Sequence, residues 1–346
     1  MALFVLGAGA TRGCSFVNEA EFPCLPPLDT DFFTQLQRVK NDKHQKLISA
    51  VMADVVELFG TNFHVTMETV FTTLEHTIRM LETTGDNRDF RRADLKQKRE
   101  RLQQAIAVVM EESLTEPGGG GGSSLTAKEC QHHKKLVVNI LQQRDHVITF
   151  NYDCVLDCAL RDFGKGKWNP RYGYGFNLGS RGKNLSGDSY WAPSKPAKPD
   201  KTVRVYKLHG SLHFDIADPK VKLKERPYTK QHGSLRFTII PPEWHKTYDK
   251  GVFAELWKLA ANAINHAEHV IVAGYSLPPT DLHSTALFRT SIKRERLKAL
   301  VIVNPDKEAR YRIRTVLQRG LTRDTRVLSF DSIESFVAAD RRVWAV

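Results

Sequence analysis

Residues 146–157 read HVITFNYDCVLD. Val147-Ile148-Thr149-Phe150 has the β-branched and aromatic bias of a strand buried in a parallel sheet. Asn151-Tyr152-Asp153 interrupts it, and Cys154 to Leu160 has helical character. An amide and a carboxylate therefore stand just past the carboxyl end of a strand, at the start of a helix. In open α/β sheets that edge carries the ligand crevice.

The same pattern recurs outward along the chain. Leu3–Leu6 runs into Gly7-Ala8-Gly9-Ala10-Thr11-Arg12-Gly13, and Val203–Leu208 runs into His209-Gly210-Ser211. Val270–Ala273 is followed by Gly274-Tyr275-Ser276, and Leu300–Val303 by Asn304-Pro305-Asp306; Val327–Phe330 reads as a last strand. Strands alternating with helical segments predict an α/β fold, a Rossmann-like doubly wound parallel sheet. Such a sheet gathers the strand-end groups on one edge.

Between the first strand and His146 the pattern turns helical. Apolar stripes predict helices over Phe32–Phe59 (broken near Asn41-Asp42), Thr66–Leu81, Asn87–Leu114 and Thr126–Gln143. We read 32–143 as a helical insertion in a sheet domain formed by 1–31 and 144–346, with a flexible glycine-rich loop at 117–124. Leu235–Ile240 reads as a further strand, stopped by Pro241-Pro242. The loop-rich segment 164–201, with Tyr172, Tyr174, Phe176, Tyr190 and Trp191, is expected near the site as a cover.

The chain has 346 residues, 41% hydrophobic and 26% charged, which is ordinary globular composition. No apolar run approaches the ~20 residues that span a bilayer, so no membrane segment is expected. The apolar start, Met1 to Leu6, lacks a basic region and enters glycine turn chemistry at once, so it reads as a strand rather than a signal peptide. Five cysteines without any CxxC pair exclude a disulfide framework and a four-thiolate zinc site, and fit a reducing cytoplasm. The net charge of +12 attracts phosphates without saying whose. It concentrates in Arg88–Arg101, Arg289–Lys298 and Lys307–Arg326, which at helical spacing read as solvated faces ahead of a nucleic-acid site.

Each strand-end group has a bland reading beside a chemical one. His209 is placed for acid–base work, or is a histidine satisfied by backbone. Asn151 and Asp153 can do chemistry, or only cap the helix that follows them. Asn304-Pro305-Asp306 can be a turn and cap. The Gly7-Ala8-Gly9 turn is an incomplete phosphate-binding fingerprint, strengthened by its place after the first strand.

Taken together, GAGAT at 7–11, FNYD at 150–153, LHGS at 208–211, GYSL at 274–277 and VNPD at 303–306 resemble the sirtuins in order and spacing. The chain is most similar to the prokaryotic sirtuin-like proteins of antiviral defence, in PPEWHK at 241–246, the Trp257-bearing helix and VIVAGYSLPPTD at 270–281. The insertion matches more loosely, mainly in VTMETVFTTLE at 65–75. The resemblance implies NAD+ as substrate. Gly7, Ala8 and Gly9, with Thr11, would line the pyrophosphate; Asn151 would bind the nicotinamide ribose or a water; Asp153 would hold the carboxamide. His209 would act on the ribose hydroxyls or on water, and Gly274, Ser276 and Asn304 would hold phosphate and adenosine ribose.

The protein-deacetylase branch carries a four-cysteine zinc module and a glutamine before the asparagine. Here Phe150 precedes Asn151 and no CxxC exists, so hydrolysis of NAD+ to nicotinamide and ADP-ribose is expected, and no zinc. The resemblance further implies anti-phage defence by NAD+ depletion. Control would come through oligomerisation or a partner such as a HerA-type helicase ATPase or a short Argonaute, with nucleic acid reached through that partner. Alternatives from other classes are an inactive nucleotide-sensing or nucleic-acid-binding module, and a zinc-independent deacylase or ADP-ribosyltransferase.

Overall fold

The computed structural model describes residues 1–18, 20, 24–84, 89–118, 125–176, 188–217, 220–224, 237–241 and 250–345. Six strands build the central sheet: β1 (Ala2–Leu6), β2 (His146–Thr149), β3 (Arg204–Lys207), β4 (His269–Ala273), β5 (Ala299–Val303) and β6 (Arg326–Phe330). Their spatial order is β6-β5-β4-β1-β2-β3, and all neighbours pair in parallel. That is the doubly wound order whose direction of winding reverses between β1 and β4, where such sheets open a ligand crevice.

The strands form because they can be covered on both faces. Every side chain of β1 is at most 2% exposed, and β4 and β5 are buried throughout. Each large apolar side chain so placed contributes about 1.5–3 kcal/mol. The register then decides what meets at the edge. Leu6 lies level with Thr149 and Ala273, Ala273 with Val303, and Thr149 with Lys207. Gly7, Phe150, Leu208, Gly274 and Asn304 therefore leave the sheet side by side.

The α-helices of five residues or more are α1 (Ala8–Arg12), α2 (Phe32–Gln37), α3 (Gln45–Phe59), α4 (Met67–Thr84), α5 (Asp89–Leu114), α6 (Gln131–Lys135), α7 (Val155–Phe163), α8 (Gly251–His266), α9 (Leu282–Ser291), α10 (Lys307–Val316) and α11 (Ile333–Ala338). Helices α2 to α5 fall where the sequence predicts them, with the break before α3 filled by a 3-10 turn at Asp42–His44. One continuous buried cluster runs from the strands through Val51, Phe71 and Ile106, so this insertion shares the core of the sheet. The basic run of α5 is not simply a solvated face. Lys98 Nζ reaches Glu57 (2.6 Å) and Asp94 (2.9 Å), and Arg101 reaches Asp54 (2.8 Å), tying α5 to α3.

Three sequence expectations are met only in part. The helix expected over Thr126–Gln143 is short. Leu125–Ala127 instead pairs antiparallel with Thr115–Pro117, and α6 starts only at Gln131 before passing into a π-type turn at Leu136–Ile140. Residues 119–124 of the expected flexible loop lie outside the described residues. Of the strand expected at 235–240, Thr238–Ile239 is strand among the described residues, and it pairs antiparallel with Gly210–Ser211 outside the central sheet. Residues 235–236 and 242–246 lie outside the described residues. Finally, most aromatics of 164–201 are core rather than cover: Trp168, Tyr174 and Trp191 are 0% exposed and Phe176 1%, while Tyr172 is half-buried and Tyr190 39% exposed. Residues 177–187 of that segment lie outside the described residues.

Buried histidines make the fold sensitive to acid. His146, at the start of β2, donates to or accepts from the Tyr206 hydroxyl at 3.0 Å, and burial, reinforced by Arg204, pushes its pKa down to about 4. An unfolded chain protonates histidine near 6.5. Between those values the unfolded state holds the extra proton, so His146 withdraws stability as pH falls from about 6.5 towards 4. His146→Gln is therefore expected to unfold at a temperature that falls less steeply than wild type between pH 7 and 4.5, by the equivalent of about 1–2 kcal/mol. Parallel curves in a thermal melt series would refute this.

Candidate active site

The site is built where β1, β2 and β4 end. Past β1 the chain turns at Gly7 into the five-residue helix α1. Past β4 it turns at Gly274, whose φ is +63°. The two turns are in contact: Gly9 N–H donates to the Gly274 carbonyl (2.8 Å) and Gly7 N–H to the Ala273 carbonyl (3.1 Å). A Cβ on Gly274 would lie 1.9 Å from Ala10 N, and one on Gly7 2.6 Å from Tyr275 Cα. The glycines thus permit two backbones to touch across the reversal of the sheet. Gly274→Ala combines a left-handed φ with backbone overlap and is expected to lower stability by roughly 2–4 kcal/mol. A thermal melt within a degree of wild type would contradict this packing.

Asn151 lies just past β2 and bridges to the glycine turn. Its Nδ2 donates to the Gly7 carbonyl (3.0 Å) and to Thr11 Oγ1 (3.1 Å), and its own N–H donates to Thr149 Oγ1 (3.1 Å). Thr11 Oγ1 in turn donates to Asp153 Oδ2 (2.6 Å), while Asp153 Oδ1 accepts from Val155 N–H (2.9 Å) at the start of α7. The two donations fix the orientation of the Asn151 amide. Its Oδ1 has no protein partner among the described residues, so a half-buried acceptor is held ready beside the turn. Asp153 is 5% exposed and each carboxylate oxygen already accepts one hydrogen bond. It caps α7 and holds Thr11, as the bland reading expected, with lone pairs remaining.

Aromatic rings wall the edge. Phe150 stacks on Tyr275 with ring centroids 4.4 Å apart and lies 5.0 Å from the His209 ring. His209 is 6% exposed, and its backbone carbonyl accepts from Ile240 N–H (2.8 Å). The imidazole therefore sits at the same edge as Asn151, against the ring that precedes it.

On the β4–β5 side the sequence candidates are structural as well. Asn304 is 8% exposed; its Oδ1 accepts from Asp306 N–H (3.0 Å) and its Nδ2 reaches the Tyr275 carbonyl (3.4 Å). Ser276 is exposed, and its carbonyl accepts from the Arg312 guanidinium at 3.3 Å. Arg310 binds the Asn304 carbonyl (2.5 Å) and pairs with Asp331. The basic helix α10 thus pins both turns. The insertion reaches this edge too, because Thr280 Oγ1 donates to Glu68 Oε2 (2.5 Å) at the start of α4. Ala8 is exposed beside Gly9. Gly7, Ala8, Gly9, Thr11, Asn151 and Asp153 form one assembly, and Gly274 joins it through Gly9.

Sequence reasoning missed the support beneath the site. Lys207, 2% exposed, donates to the Asp153 carbonyl (2.5 Å) and to Asp157 Oδ2 (2.9 Å). Tyr174 hydroxyl donates to Asp157 Oδ1 (2.6 Å) and lies 3.0 Å from His213 Nε2, whose Nδ1 is 2.8 Å from Ser211 Oγ. Against the cost of burial, Lys207 holds Asp157 below its ordinary value, and Asp157 holds Lys207 above its own. Burial pushes His213 down to about 3, so the imidazole is neutral. The available signal was a lysine at the inner end of an apolar strand, which demands a buried partner.

A cleft lined by Met1, Asn139, Gln142, His269 and Asp340 opens at the amino ends of β1 and β4. That is the opposite edge from the glycine turns and outside the strand-end assembly.

A six-stranded sheet in this order, with glycine turns touching at the reversal, defines a Rossmann-like nucleotide-binding class. Within that class, the chain matches the SIR2-like domain family over residues 145–321, just over half of its length, and belongs to that family. SIR2-like domains bind NAD+ as substrate. A search of the curated proteins finds no match. The five cysteines are all buried and do not come together as four ligands. Among the described residues no helix is long and apolar enough to cross a membrane.

Proposed function

We propose that this protein is an NAD+ glycohydrolase, cleaving NAD+ to nicotinamide and ADP-ribose. The observation that carries the reading is Asn151, locked by Gly7 and Thr11 with its Oδ1 left to accept from a ribose hydroxyl or a water. Scission of the nicotinamide–ribose bond passes through an oxocarbenium-like state. A fixed acceptor and an adjacent imidazole, His209, favour that state by position and electrostatics. Nicotinamide leaves neutral, and water adds to the anomeric carbon and loses a proton. Asp153 would meet the carboxamide with its remaining lone pairs. Gly7, Ala8, Gly9, Thr11, Gly274, Ser276 and Asn304 would line the phosphates and the adenosine side.

The biological reading follows the same resemblance: depletion of NAD+ in anti-phage defence, in the cytoplasm, held in check by oligomerisation or by a partner such as a HerA-type helicase or a short Argonaute. Deacylation lacks the four-thiolate module here, which supports water as the acceptor. The test supplies NAD+ alone and then NAD+ with an acetyl-lysine peptide, and resolves products by chromatography. Nicotinamide and ADP-ribose in equal amounts without peptide are expected, with a loss of about 10²-fold in His209→Ala. Product that forms only with the peptide would replace hydrolysis by acyl transfer.

A further inference from the structure

Three buried side chains that the proposed reaction does not use converge beneath α1. Cys14 follows the end of α1, Cys130 caps the start of α6, and His133 lies one turn into α6. They are 4%, 5% and 2% exposed. His133 Nδ1 lies 3.2 Å from Cys130 Sγ and 3.8 Å from Cys14 Sγ, and all three ligand atoms fall within 4.8 Å of one another. Ligands on one tetrahedral zinc, at about 2.3 Å for sulfur and about 2.0 Å for nitrogen, stand about 3.6–3.8 Å apart. The two distances to His133, 3.2 and 3.8 Å, lie on either side of that spacing.

We propose that Cys14, Cys130 and His133 form a binding site for a thiophilic divalent ion of the zinc type. Two sulfurs and one imidazole nitrogen are the donor set such ions select over magnesium or calcium. Ser15 Oγ is 3.9 Å from Cys130 Sγ and its oxygen accepts from Gln131 N–H, so a hydroxyl stands within the span of a fourth ligand. Binding joins the two segments, with both sulfurs bound as thiolates and the imidazole neutral, and the displaced protons go to solvent. The ion would clamp α6, the last helix of the insertion, to the helix carrying Gly9 and Thr11, and so to Asp153.

A second group, Cys154, Asp157 and His213, has comparable spacing but is already occupied by a cation. Lys207 Nζ and the Tyr174 hydroxyl take the two oxygens of Asp157, and both His213 nitrogens have hydroxyl partners. It serves as the internal control.

The experiment is metal analysis of the full chain, reconstituted with zinc under reductant and freed of excess by gel filtration. About one equivalent per chain is expected, with less than about a tenth retained in Cys130→Ser and His133→Gln, and full retention in Cys154→Ser. Cobalt substitution of the wild-type chain, which needs no variant, is expected to give thiolate-to-metal charge-transfer absorption. Absence of stoichiometric zinc, a cobalt spectrum without thiolate bands, or loss of metal in Cys154→Ser with retention in Cys130→Ser would each overturn the site. So would a Cys14–Cys130 disulfide, two hydrogens lighter by intact mass, in protein isolated without reductant. The readout is metal rather than NAD+ turnover, so this inference and the glycohydrolase reading fail separately.

Discussion

Asn151→Ala is expected to slow nicotinamide release from NAD+ by about 10²–10³-fold, the cost of removing one preorganised polar group from a reacting centre. The amide is held by donations to Gly7 and Thr11, so its acceptor oxygen does not reorganise when charge develops on the sugar. The substitution also leaves the Thr11 hydroxyl without a donor, while the Gly7 carbonyl keeps the Ala10 N–H at 2.9 Å. That costs about 1–3 kcal/mol if no water enters, which a chain of this size survives. The measurement is the initial rate at saturating NAD+, beside a thermal melt and an NAD+ titration. A folded variant that binds NAD+ within about tenfold of wild type but turns it over at least a hundredfold more slowly agrees with the assignment. Turnover within about threefold of wild type would remove Asn151 from the reaction.

Lys207→Met is expected to be the most destabilising single change at the site, at about 3–5 kcal/mol. It leaves the Asp157 carboxylate, 1% exposed, without its ammonium partner in a low-dielectric interior. It also frees the Asp153 carbonyl, which Lys207 anchors at 2.5 Å. The melting temperature should drop by roughly 5–10 °C. Lys207→Met with Asp157→Leu should recover part of that loss, because both charges leave together and Tyr174 keeps His213 as a partner. Additive losses in the double variant would show that the two groups do not act as a pair.

The legible parts of this chain were those written in local pattern. β1, β2, β4 and β5 are continuous apolar runs, and a run that is apolar on both faces has no stable place except inside a parallel sheet. The strand ends followed from them, and with the ends came Gly7, Asn151, His209, Gly274 and Asn304. What those residues touch was not legible. Asn151 meets Thr11 across 140 positions of sequence, and Lys207 meets Asp157 across 50. Nothing periodic links such partners.

The glycines carried a second lesson. The sequence places Gly9 and Gly274 for a phosphate, yet the first thing they do is let two turns touch. The aromatics of 164–201 misled for a related reason. Composition shows loop character, but Trp168, Tyr174 and Trp191 bury their rings in and beside short helices at Pro170–Gly173 and Asp188–Trp191. Cys130 and His133 stand three apart, as neighbours on a helix do, but no spacing joins Cys14 to them, because the helical insertion puts more than a hundred residues between.

The most direct test is NAD+ consumption by the purified full chain, alone and with DNA or its genomic-neighbour protein, followed by chromatography of nicotinamide and ADP-ribose. The expected result is equimolar release of both products, in at least one of these conditions, that disappears in Asn151→Ala. NAD+ bound by the chain and recovered intact under every condition would contradict the glycohydrolase and leave a nucleotide sensor on a SIR2-like fold.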